Sequence, residues 1–488
     1  MSFTPMERLI HRKRTRDNDV RNHTPLHHES DSDLTHNSDD DDDHDNNDTT
    51  ESPSEYKKGG YHPVCIGDQY NNDKYIIEKK LGFGYFSTVW LASDQTRSSD
   101  DPHKIVAIKI SKSRESFQEA AQDEMKMLQT LGNQDFMVQL LDQFVIWGPN
   151  GKHYCLVFEP MWKDLYYLIR KFDFKGIPSK LLKVLAYQIL CGVEYMHEKQ
   201  IIHTDIKPEN FLLSLPFDLQ YDALCQDRDI YLELKKQLRW CQSQSQLKSH
   251  PHTLSRNQRK RRKEKMKAEI SQPSSENGPS VLDIQLKMQQ LEHMKMPPEL
   301  NRSKNLIVKV ADFGNACWIH KHYSSDITTR QYRSPEVLLG YPYGTGVDMF
   351  ACGVMLFEMA TGELPFRPEK NKDPYYRNED HLTLIYRTAG YIPRHMIKDG
   401  KYSDHYFNRR CEFRRHSVDS LEPRPLEDLL RRYNYTSDDI PVFCDLLMHL
   451  LEPDPQKRFS ASQSKQHPWL AEIHAAYESK GLAAFSLE

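Results

Sequence analysis

Two short polar strings, about one hundred residues apart, hold the side chains of this sequence that are best suited to chemistry. The first, His203-Thr-Asp-Ile-Lys-Pro-Glu-Asn210, places a carboxylate (Asp205), an ammonium (Lys207) and an amide (Asn210) on one short loop. The second, Asp312-Phe-Gly314, supplies a carboxylate that can hold a divalent metal. Together these groups are suited to moving the γ-phosphoryl of ATP to a hydroxyl.

Each of these side chains has a predicted role in that transfer. Asp205 would accept or orient the proton of the substrate hydroxyl, and Lys207 would steady the transferring phosphoryl. Asn210 and Asp312 would hold Mg²⁺ between the phosphates. Thr329, the first residue of another polar string, can bond to both Asp205 and Lys207.

Three further residues have predicted structural roles and would not touch the reactants. Asp348, which opens an apolar helix, would brace the loop through its backbone. Glu336 would pair with Arg458 near the end of the chain in a buried, structural ion pair.

A glycine-rich strand turn, Leu81-Gly-Phe-Gly-Tyr-Phe-Ser-Thr-Val89, has the first two glycines of the pattern G-x-G-x-x-G-x-V and Ser87 at the third. Glycine lets the backbone come close to phosphate oxygens. Lys109, which ends the string Val-Ala-Ile-Lys, would neutralise the α and β phosphates, and Glu124 on the next helix would hold it. The alternative is a surface pair worth under about 1 kcal/mol. The predicted nucleotide contacts in this region are Leu81, Gly82, Phe83, Gly84, Val89, Ala107 and Lys109.

The string Leu156-Val-Phe-Glu-Pro-Met161 is the predicted edge of the adenine site. Phe158 would be the gatekeeper, and the backbone at Glu159 and Met161 would hydrogen-bond the purine. The alternative is a plain core strand that runs into a linker.

Hydrophobic periodicity predicts the elements that position these residues. The upstream half alternates as strands with one helix, which indicates a small antiparallel sheet. The downstream half is mostly helical, so the predicted fold class is α+β with two lobes. The predicted strands are 75–84, 87–92, 105–110 and 155–158, with a hairpin turn at 148–151, and the predicted helices are 116–131, 181–197, 347–361, 381–390, 425–433 and 438–451.

Composition divides the 488 residues into folded and unfolded parts. Residues 1–58 are predicted to be a disordered acidic tail, and residues 29–55 alone carry a charge of −12. Residues 217–303 are predicted to be a disordered insert. The parts predicted to fold are 59–216 and 304–472, and residues 473–488 form a C-terminal tail.

The distribution of charge limits the classes of partner that the folded part is expected to bind. The net charge is −4, and the run 256–267 inside the insert contributes +7. The folded part therefore offers no predicted nucleic-acid-binding face. No stretch of 18 apolar residues or signal peptide occurs, so we expect an intracellular, membrane-free protein whose nine cysteines are reduced. The basic run would serve nuclear import, bind an acidic partner or simply be solvated.

The motifs described above resemble those of the eukaryotic protein kinases, and specifically those of the SR-protein kinase (SRPK) family. The resemblance spans about residues 58–215 and 305–472, and that family also splits its kinase core with a long spacer. It implies phosphorylation of Ser in Arg/Ser-rich splicing factors, with ATP and Mg²⁺, in the cytoplasm and nucleus. Its most specific strings are Gly59-Gly-Tyr-His-Pro-Val64, Phe86-Ser-Thr-Val-Trp-Leu91, Ile202-His-Thr-Asp-Ile-Lys-Pro-Glu-Asn210, Gly314-Asn-Ala-Cys-Trp318 and Thr329-Arg-Gln-Tyr-Arg-Ser334.

Thr204 stands where many kinases have an arginine that needs a phosphate on the activation loop to neutralise it. Without that arginine the loop should order unaided, so we expect an enzyme that is active as synthesised. Some positions depart from the resemblance: Phe313 and Pro335 follow the general kinase pattern, and Phe83 replaces a usual Trp.

The resemblance also implies substrate-binding residues. Arg330 and Arg333 match positions that receive a phosphorylated or acidic residue next to the target Ser. Glu363 and Asp380 match acidic positions of a groove that docks Arg-rich peptide.

The charge of the docking groove departs from the family at other positions. Arg387 falls where an acidic residue is expected, and Glu422 falls on a basic position. A reversed charge beside a basic peptide is repulsive, so either docking is altered or a neighbour such as Glu379 takes over.

Two alternatives to an Arg/Ser kinase stay open. One is a LAMMER-type or other related kinase with a different substrate motif, and the other is a pseudokinase scaffold. We expect a monomer whose spacer binds chaperones or other regulators. Incubation with Mg-ATP and an Arg/Ser peptide would separate the three hypotheses.

Overall fold

The computed structural model describes residues 51–98, 101–214, 306–371, 373–416, 421–433 and 439–485. The predictions for residues 1–50 of the acidic tail and for the insert 217–303 lie outside these ranges.

The first part of the chain folds as one antiparallel sheet with the strand order β1-β2-β3-β4-β6-β5. Alternation puts Tyr75, Ile77, Val106 and Ile108 on its buried face. The hairpin predicted at 148–151 is confirmed, since Gly148 and Gly151 are paired at its end. The strands are β1 Gln69–Tyr70, β2 Tyr75–Gly84, β3 Ser87–Asp94, β4 Ile105–Ser111, β5 Leu140–Gly148 and β6 Gly151–Phe158.

One main helix, α1 (Glu115–Leu131), packs on this sheet, as predicted. Met127, Leu128 and Leu131 fall on one face and are buried. The helix ends at Gly132, whose φ of 61° suits glycine and whose N–H bonds to the Leu128 carbonyl. This packing fixes the face from which Glu124 projects.

The second part of the chain is mostly helical. Its centre is α5, in which every residue from Val347 to Thr361 is buried. The helices are α2 Leu165–Lys171, α3 Ser179–Glu198, α4 Pro335–Leu339, α5 Gly346–Thr361, α6 Pro374–Ala389, α7 Arg394–Asp399, α8 Ser403–Tyr406, α9 Leu426–Leu430, α10 Asp439–Leu450, α11 Ala461–Lys465 and α12 Ala471–Lys480.

Short strands lie between the two parts and hold the polar loops. Strand β9 pairs with β10 in antiparallel register, with Phe211 opposite Val310 and Ser214 opposite Ile307. The insert therefore begins and ends at neighbouring positions of one ladder. These strands are β7 Lys163–Asp164, β8 Ile201–Ile202, β9 Phe211–Ser214, β10 Ile307–Val310 and β11 Cys317–Trp318.

The two-lobed α+β prediction is confirmed, and two helix boundaries differ from the prediction by more than two residues. The helix predicted from residue 381 begins at Pro374, because Asp373 caps its first turn through the Tyr375 N–H. The helix predicted to reach residue 433 ends at Leu430.

Two predicted domain boundaries need to move. Residues 51–58 are not part of a loose tail: Ser52 caps a short 3₁₀ turn, and Glu55 binds Lys112 of the sheet. At the other end α12 and the following turn pack on the fold, and Phe485 is fully buried beside Phe136 and Tyr477. Burying an aromatic ring outweighs the ordering of a short terminal segment.

Among the described residues, no helix is both long and apolar enough to cross a membrane. The cysteines in the same ranges are all free thiols, and five of them are buried.

Candidate active site

Helix α5 holds the loop 203–210 in place through Asp348. The carboxylate of Asp348 accepts hydrogen bonds from the backbone N–H groups of His203 (2.8 Å) and Thr204 (2.9 Å) and from His197 Nε2 (2.9 Å). Asp348 is almost fully buried, so these bonds are shielded from water. The predicted bracing of the loop by Asp348 is confirmed.

A polar cluster at this loop joins Asp205, Lys207 and Thr329. Thr329 Oγ1 donates to Asp205 Oδ1 at 2.8 Å and accepts from Lys207 Nζ at 3.1 Å. Lys207 Nζ also lies 3.1 Å from Asp205 Oδ2. Burial alone would lower the pKa of Lys207, but the Asp205 carboxylate raises it, so the ammonium stays charged.

Asn210 closes the loop and presents its amide oxygen. Its Nδ2 donates to the Asp205 carbonyl (2.7 Å) and to Asp205 Oδ2 (3.1 Å). The amide oxygen is then the atom left to bind a metal, and hard divalent cations prefer oxygen ligands.

His203 joins this loop to the segment that carries Asp312. Its Nε2 donates to the Ala311 carbonyl at 3.0 Å, and its Nδ1 accepts from the Asp205 N–H at 3.3 Å. The two bonds are compatible with a single neutral tautomer. The imidazole therefore ties the backbone of Asp205 to the residue before Asp312, a role that the sequence analysis did not assign.

Lys109, Glu124 and Asp312 meet in the cleft between the two parts. Lys109 Nζ lies 2.7 Å from Glu124 Oε1 and 2.7 Å from Asp312 Oδ1. The surface-pair alternative is wrong, because the Glu124 side chain is only 4% exposed. The Asp312 side chain is 48% exposed and faces the cleft.

The charges of these three groups are coupled. Burial alone would lower the pKa of Lys109, but the Asp312 and Glu124 carboxylates raise it. Burial raises the pKa of Glu124, against the pull of Lys109, and Lys109 lowers the pKa of Asp312 to about 2. With both carboxylates ionised the cluster carries one surplus negative charge, which suits a cation at Asp312.

The backbone around the cleft has room for phosphates. A Cβ built at Gly82 or Gly84 would meet no atom within 4 Å, so the turn presents open backbone to the cleft. At Gly314 a Cβ would instead lie 3.3 Å from Asp312 Oδ1 and 3.6 Å from Lys109 Nζ. A side chain there would require the Asp312 carboxylate to shift by a few tenths of an ångström, so glycine leaves the charged cluster undisturbed.

The remaining predicted nucleotide contacts flank this space. Val89 is opposite both Gly82 and Lys109 in the sheet register, and Leu81 and Phe83 are each 40% exposed on the turn. Ala107 is buried where β4 pairs with Phe158 of β6.

The predicted adenine edge follows directly after β6. The Glu159 N–H donates to the Gln139 carbonyl at 3.2 Å, so a purine could use only the carbonyl of Glu159. The Glu159 side chain binds Lys309 Nζ at 2.6 Å. Met161 lies next on the same connection and packs partly against the core.

Thr204 lies in a backbone conformation that is rare for a β-branched residue, with φ of 64°. Its hydroxyl donates to the Asn315 carbonyl at 2.7 Å, just after the Asp312-Phe-Gly314 string. The bond links the loop of Asp205 to the start of the activation segment without any added charge.

The predicted ion pair between Glu336 and Arg458 is confirmed. Arg458 Nη1 and Nη2 lie 2.6 and 3.1 Å from the two Glu336 oxygens, and both side chains are fully buried. Arg458 also donates to the Gly346 carbonyl at 2.7 Å. The pair joins the end of the activation segment to the start of α5.

Arg330 and Arg333 are buried near α6. Arg333 Nη1 lies 3.0 Å from Asp326 Oδ1. Burial lowers the pKa of His381 well below its usual range, and Arg330, Arg333 and Arg377 lower it further. Three guanidinium groups thus surround one neutral imidazole. Arg377 was missed by the sequence analysis, because it lies one turn before His381 in a part of α6 that was not predicted to be helical.

Of the four residues predicted for the docking groove, Asp380 and Arg387 lie seven residues apart on one face of α6. Glu363 is exposed at the end of α5, and Asp380 accepts a bond from the Glu369 N–H at 2.7 Å. Arg387 Nε donates to the Glu422 carbonyl at 2.7 Å. The reversed charge at Arg387 is therefore held in place by the segment that carries Glu422.

The suggestion that Glu379 replaces a missing groove carboxylate is wrong. Glu379 is fully buried, its Oε1 accepts from the Arg415 N–H at 2.7 Å, and its Oε2 binds the Arg415 guanidinium. Neighbouring residues on a helix point about 100° apart, so Glu379 faces away from the flank of Asp380.

Comparison with known proteins agrees with this geometry. The protein kinase domain family matches residues 75–219 and 299–470. A serine/threonine-protein kinase SRPK of Physarum polycephalum is 39% identical over 431 residues, which cover 87% of this chain and 92% of the relative. Protein kinase dsk1 of Schizosaccharomyces pombe is 33% identical, covering 87% and 85%, and SRSF protein kinase 3 of Mus musculus is 32% identical, covering 86% and 90%.

A protein kinase domain uses ATP and a divalent metal. The cleft described above supplies an ammonium, carboxylates and an amide oxygen, which are the groups that bind phosphates and metal. The relatives match along nearly their whole length and carry kinase names of one kind. The chain is a protein serine/threonine kinase and belongs to the SR-protein kinase family.

Proposed function

We propose that this kinase transfers the γ-phosphoryl of Mg-ATP to serines of Arg/Ser-rich proteins such as splicing factors, and that it does so as synthesised. The substrate class is supported by the names of relatives, among them SRSF protein kinase 3. The activity without modification is supported by the site itself, in which the Lys109–Glu124 pair and the Thr329 bonds are already made.

The chain's own groups define the chemistry. Asp205 accepts the proton of the substrate hydroxyl, and Thr329 holds the carboxylate that receives it. Lys207 and Lys109 stabilise negative charge on the transferring and the anchored phosphates. Asp312 and the amide oxygen of Asn210 would hold Mg²⁺, which supplies charge neutralisation between the phosphates when it is bound.

The observation that carries the proposed unmodified activity is the environment of Thr204. An arginine at this position would place a buried guanidinium beside the catalytic carboxylate, and a phosphate on the activation loop would then be needed to balance it. Thr204 instead bonds to the Asn315 carbonyl, so the loop needs no added charge.

We assign the surroundings of the target serine from charge. Arg330 and Arg333, with Arg377 beside them, suit a phosphorylated or acidic residue next to that serine. Glu363 and Asp380 suit arginines of the substrate, while Arg387 opposes them. We therefore propose that docking of Arg-rich peptide is weaker at the Arg387 end of the groove.

The wider setting follows from the same proposal. A kinase of splicing factors would act in both cytoplasm and nucleus, as a monomer. We place the binding of chaperones or other regulators on the spacer.

The test is incubation of the purified full chain with Mg-ATP and three peptides: an Arg/Ser repeat, an acidic peptide and a Pro-directed peptide. We expect phosphoserine only on the Arg/Ser repeat, before and after phosphatase treatment of the enzyme. The Asp205→Asn variant is the matched control for contaminating kinases. Preference for another peptide would overturn the substrate class, and loss of activity after phosphatase treatment would overturn the unmodified activity.

A further inference from the structure

A segment ahead of the sheet, residues 51–62, crosses both the glycine-rich turn and the start of α1. We call it the N-terminal strap. We propose that Tyr61, at the end of the strap, is a positioning residue for ATP: it holds the glycine-rich turn through the Gly84 carbonyl. The inference rests on the kinase activity and not on the choice of substrate protein.

The contact between the strap and the turn is direct. Tyr61 Oη donates to the Gly84 carbonyl at 2.8 Å, and the Tyr61 side chain is almost fully buried. Burial raises the pKa of Tyr61 to about 12, so the hydroxyl remains a donor at any working pH. On the far side of the tip residue Tyr85, the Phe86 carbonyl accepts from the Lys112 N–H at 2.8 Å. Both carbonyls that flank the tip are therefore fixed.

The strap also holds the first residues before α1. The Ser113 N–H donates to the Gly60 carbonyl at 3.1 Å, and the Arg114 N–H donates to the Gly59 carbonyl at 3.0 Å. Since α1 begins at the next residue and carries Glu124, the strap links the nucleotide-covering turn to the helix that orients Lys109.

Lys112 lies at the centre of these contacts. Its Nζ is 2.7 Å from Glu55 Oε2 and lies over the rings of Tyr61 (4.4 Å), Tyr85 (4.9 Å) and Phe117 (5.6 Å). The Lys112 side chain is only 5% exposed, so this carboxylate and these rings take the place of water around the ammonium. One buried ammonium thus joins the strap, the tip of the turn and α1.

The two glycines before Tyr61 are explained by the course of the strap. A Cβ at Gly60 would lie 1.9 Å from the Glu55 carbonyl oxygen, and Gly59 has φ of 83°. The Tyr61 N–H bonds back to that same Glu55 carbonyl at 3.0 Å. Only glycine permits this tight return, which delivers the Tyr61 ring beneath the turn.

The consequence for ATP is conformational. Apart from these contacts, the turn that covers the phosphates is an exposed hairpin tip. Because the contacts already hold it in place, ATP binding does not have to order the turn and loses less conformational entropy. Removing one anchoring hydrogen bond should weaken ATP binding more than it slows the transfer step, because the hydroxyl touches none of the reacting groups.

The experiment compares Tyr61→Phe with Tyr70→Phe. The control loses a tyrosine hydroxyl that bonds to His62, the last residue of the strap, and to Asp68, neither of which belongs to the turn. It therefore separates the bond to Gly84 from a general loosening of the strap. Binding of Mg-ATP is measured calorimetrically without peptide, followed by KM for ATP, kcat and Tm. We expect Tyr61→Phe to raise Kd and KM for ATP by about 2- to 10-fold, the range of one neutral hydrogen bond, and Tyr70→Phe to leave both unchanged.

A second pair of variants tests the ammonium. Lys112→Met should also raise Kd for ATP, whereas Lys57→Met, an exposed residue 3.6 Å from the same Glu55, should not. Equal ATP affinity in Tyr61→Phe and Tyr70→Phe would overturn the proposal, even with a lower Tm, since that result assigns Tyr61 a structural role only. Because binding is measured without peptide, failure of the Arg/Ser substrate class would leave this test intact.

Discussion

Replacing Thr329 by valine removes one hydroxyl and leaves a side chain of nearly the same shape. The hydroxyl donates to Asp205 Oδ1 at 2.8 Å and accepts from Lys207 Nζ at 3.1 Å. Lys207 also contacts Asp205 directly at 3.1 Å, so the ion pair survives. Of the two bonds of the hydroxyl that are lost, only the one to Asp205 orients the catalytic carboxylate. Such a bond is worth about 1.5–3 kcal/mol, which corresponds to a decrease in kcat of about 10- to 150-fold.

The assay is steady-state phosphorylation of an Arg/Ser peptide at saturating Mg-ATP. Thr329→Ser, which keeps the hydroxyl, is the matched control and should retain most of kcat. KM for ATP should stay close to wild type, because Thr329 contacts Asp205 and Lys207 and not the glycine-rich turn. A kcat for Thr329→Val close to that of Thr329→Ser, with unchanged Tm, would refute the view that this hydroxyl orients the catalytic carboxylate.

Three further predictions follow from the charged groups. Asp205→Asn and Lys109→Met should each reduce turnover by at least about 10²- to 10³-fold while Tm shows that the fold persists; near-wild-type turnover in either would exclude the site. Burial raises the pKa of Glu358 from 4.5 to about 7, so the wild type should lose stability as pH rises through that interval. Glu358→Gln should abolish this loss of stability, which is worth at most about 3 kcal/mol, and should be more stable than the wild type at pH 8. The exposed Glu363→Gln should show neither effect. Equal denaturation midpoints of Glu358→Gln and wild type at pH 8 would contradict the pKa shift. Arg387→Glu should lower KM for an Arg/Ser peptide several-fold at low salt and less at high salt; an unchanged KM at low salt would show that the peptide does not pass this end of the groove.

The catalytic loop could be predicted because its chemistry is contiguous. Asp205, Lys207 and Asn210 lie within six residues, so any fold that orders the loop brings them together. The long apolar helices were equally accessible, since α3 and α5 have many buried positions and little ambiguity of period. Boundaries were missed by more than two residues at the start of α6, where the Asp373 cap decides the first turn, and at the end of α9.

Contacts between residues far apart in sequence were harder to foresee. Nothing in the local pattern indicates that Tyr61 reaches the Gly84 carbonyl or that Glu55 binds Lys112. The error at Glu379 has another cause: Glu379 and Asp380 have the same charge on the same helix, and only the packing of α6 decides which one faces the groove. Tertiary contacts decide which of two adjacent residues on an amphipathic helix faces the core, and a short polar sequence does not specify those contacts.

The spacing of the metal-binding groups is set by contacts among residues on either side of the long insert, at the ladder of β9 and β10. Phe211 is opposite Val310, and the Ala311 N–H donates to the Asn210 carbonyl at 2.9 Å, one residue before Asp312. Compared with a tight turn, closing so long a loop costs only about 2–3 kcal/mol, since the cost grows with the logarithm of loop length. Gln188 of α3 offsets part of that cost: its amide binds the Leu306 carbonyl at 2.9 Å and the Val308 N–H at 2.8 Å. The strand that returns from the insert is thus held by the core and not by its connection, and the amide and carboxylate that would hold the metal keep their spacing whatever the insert contains.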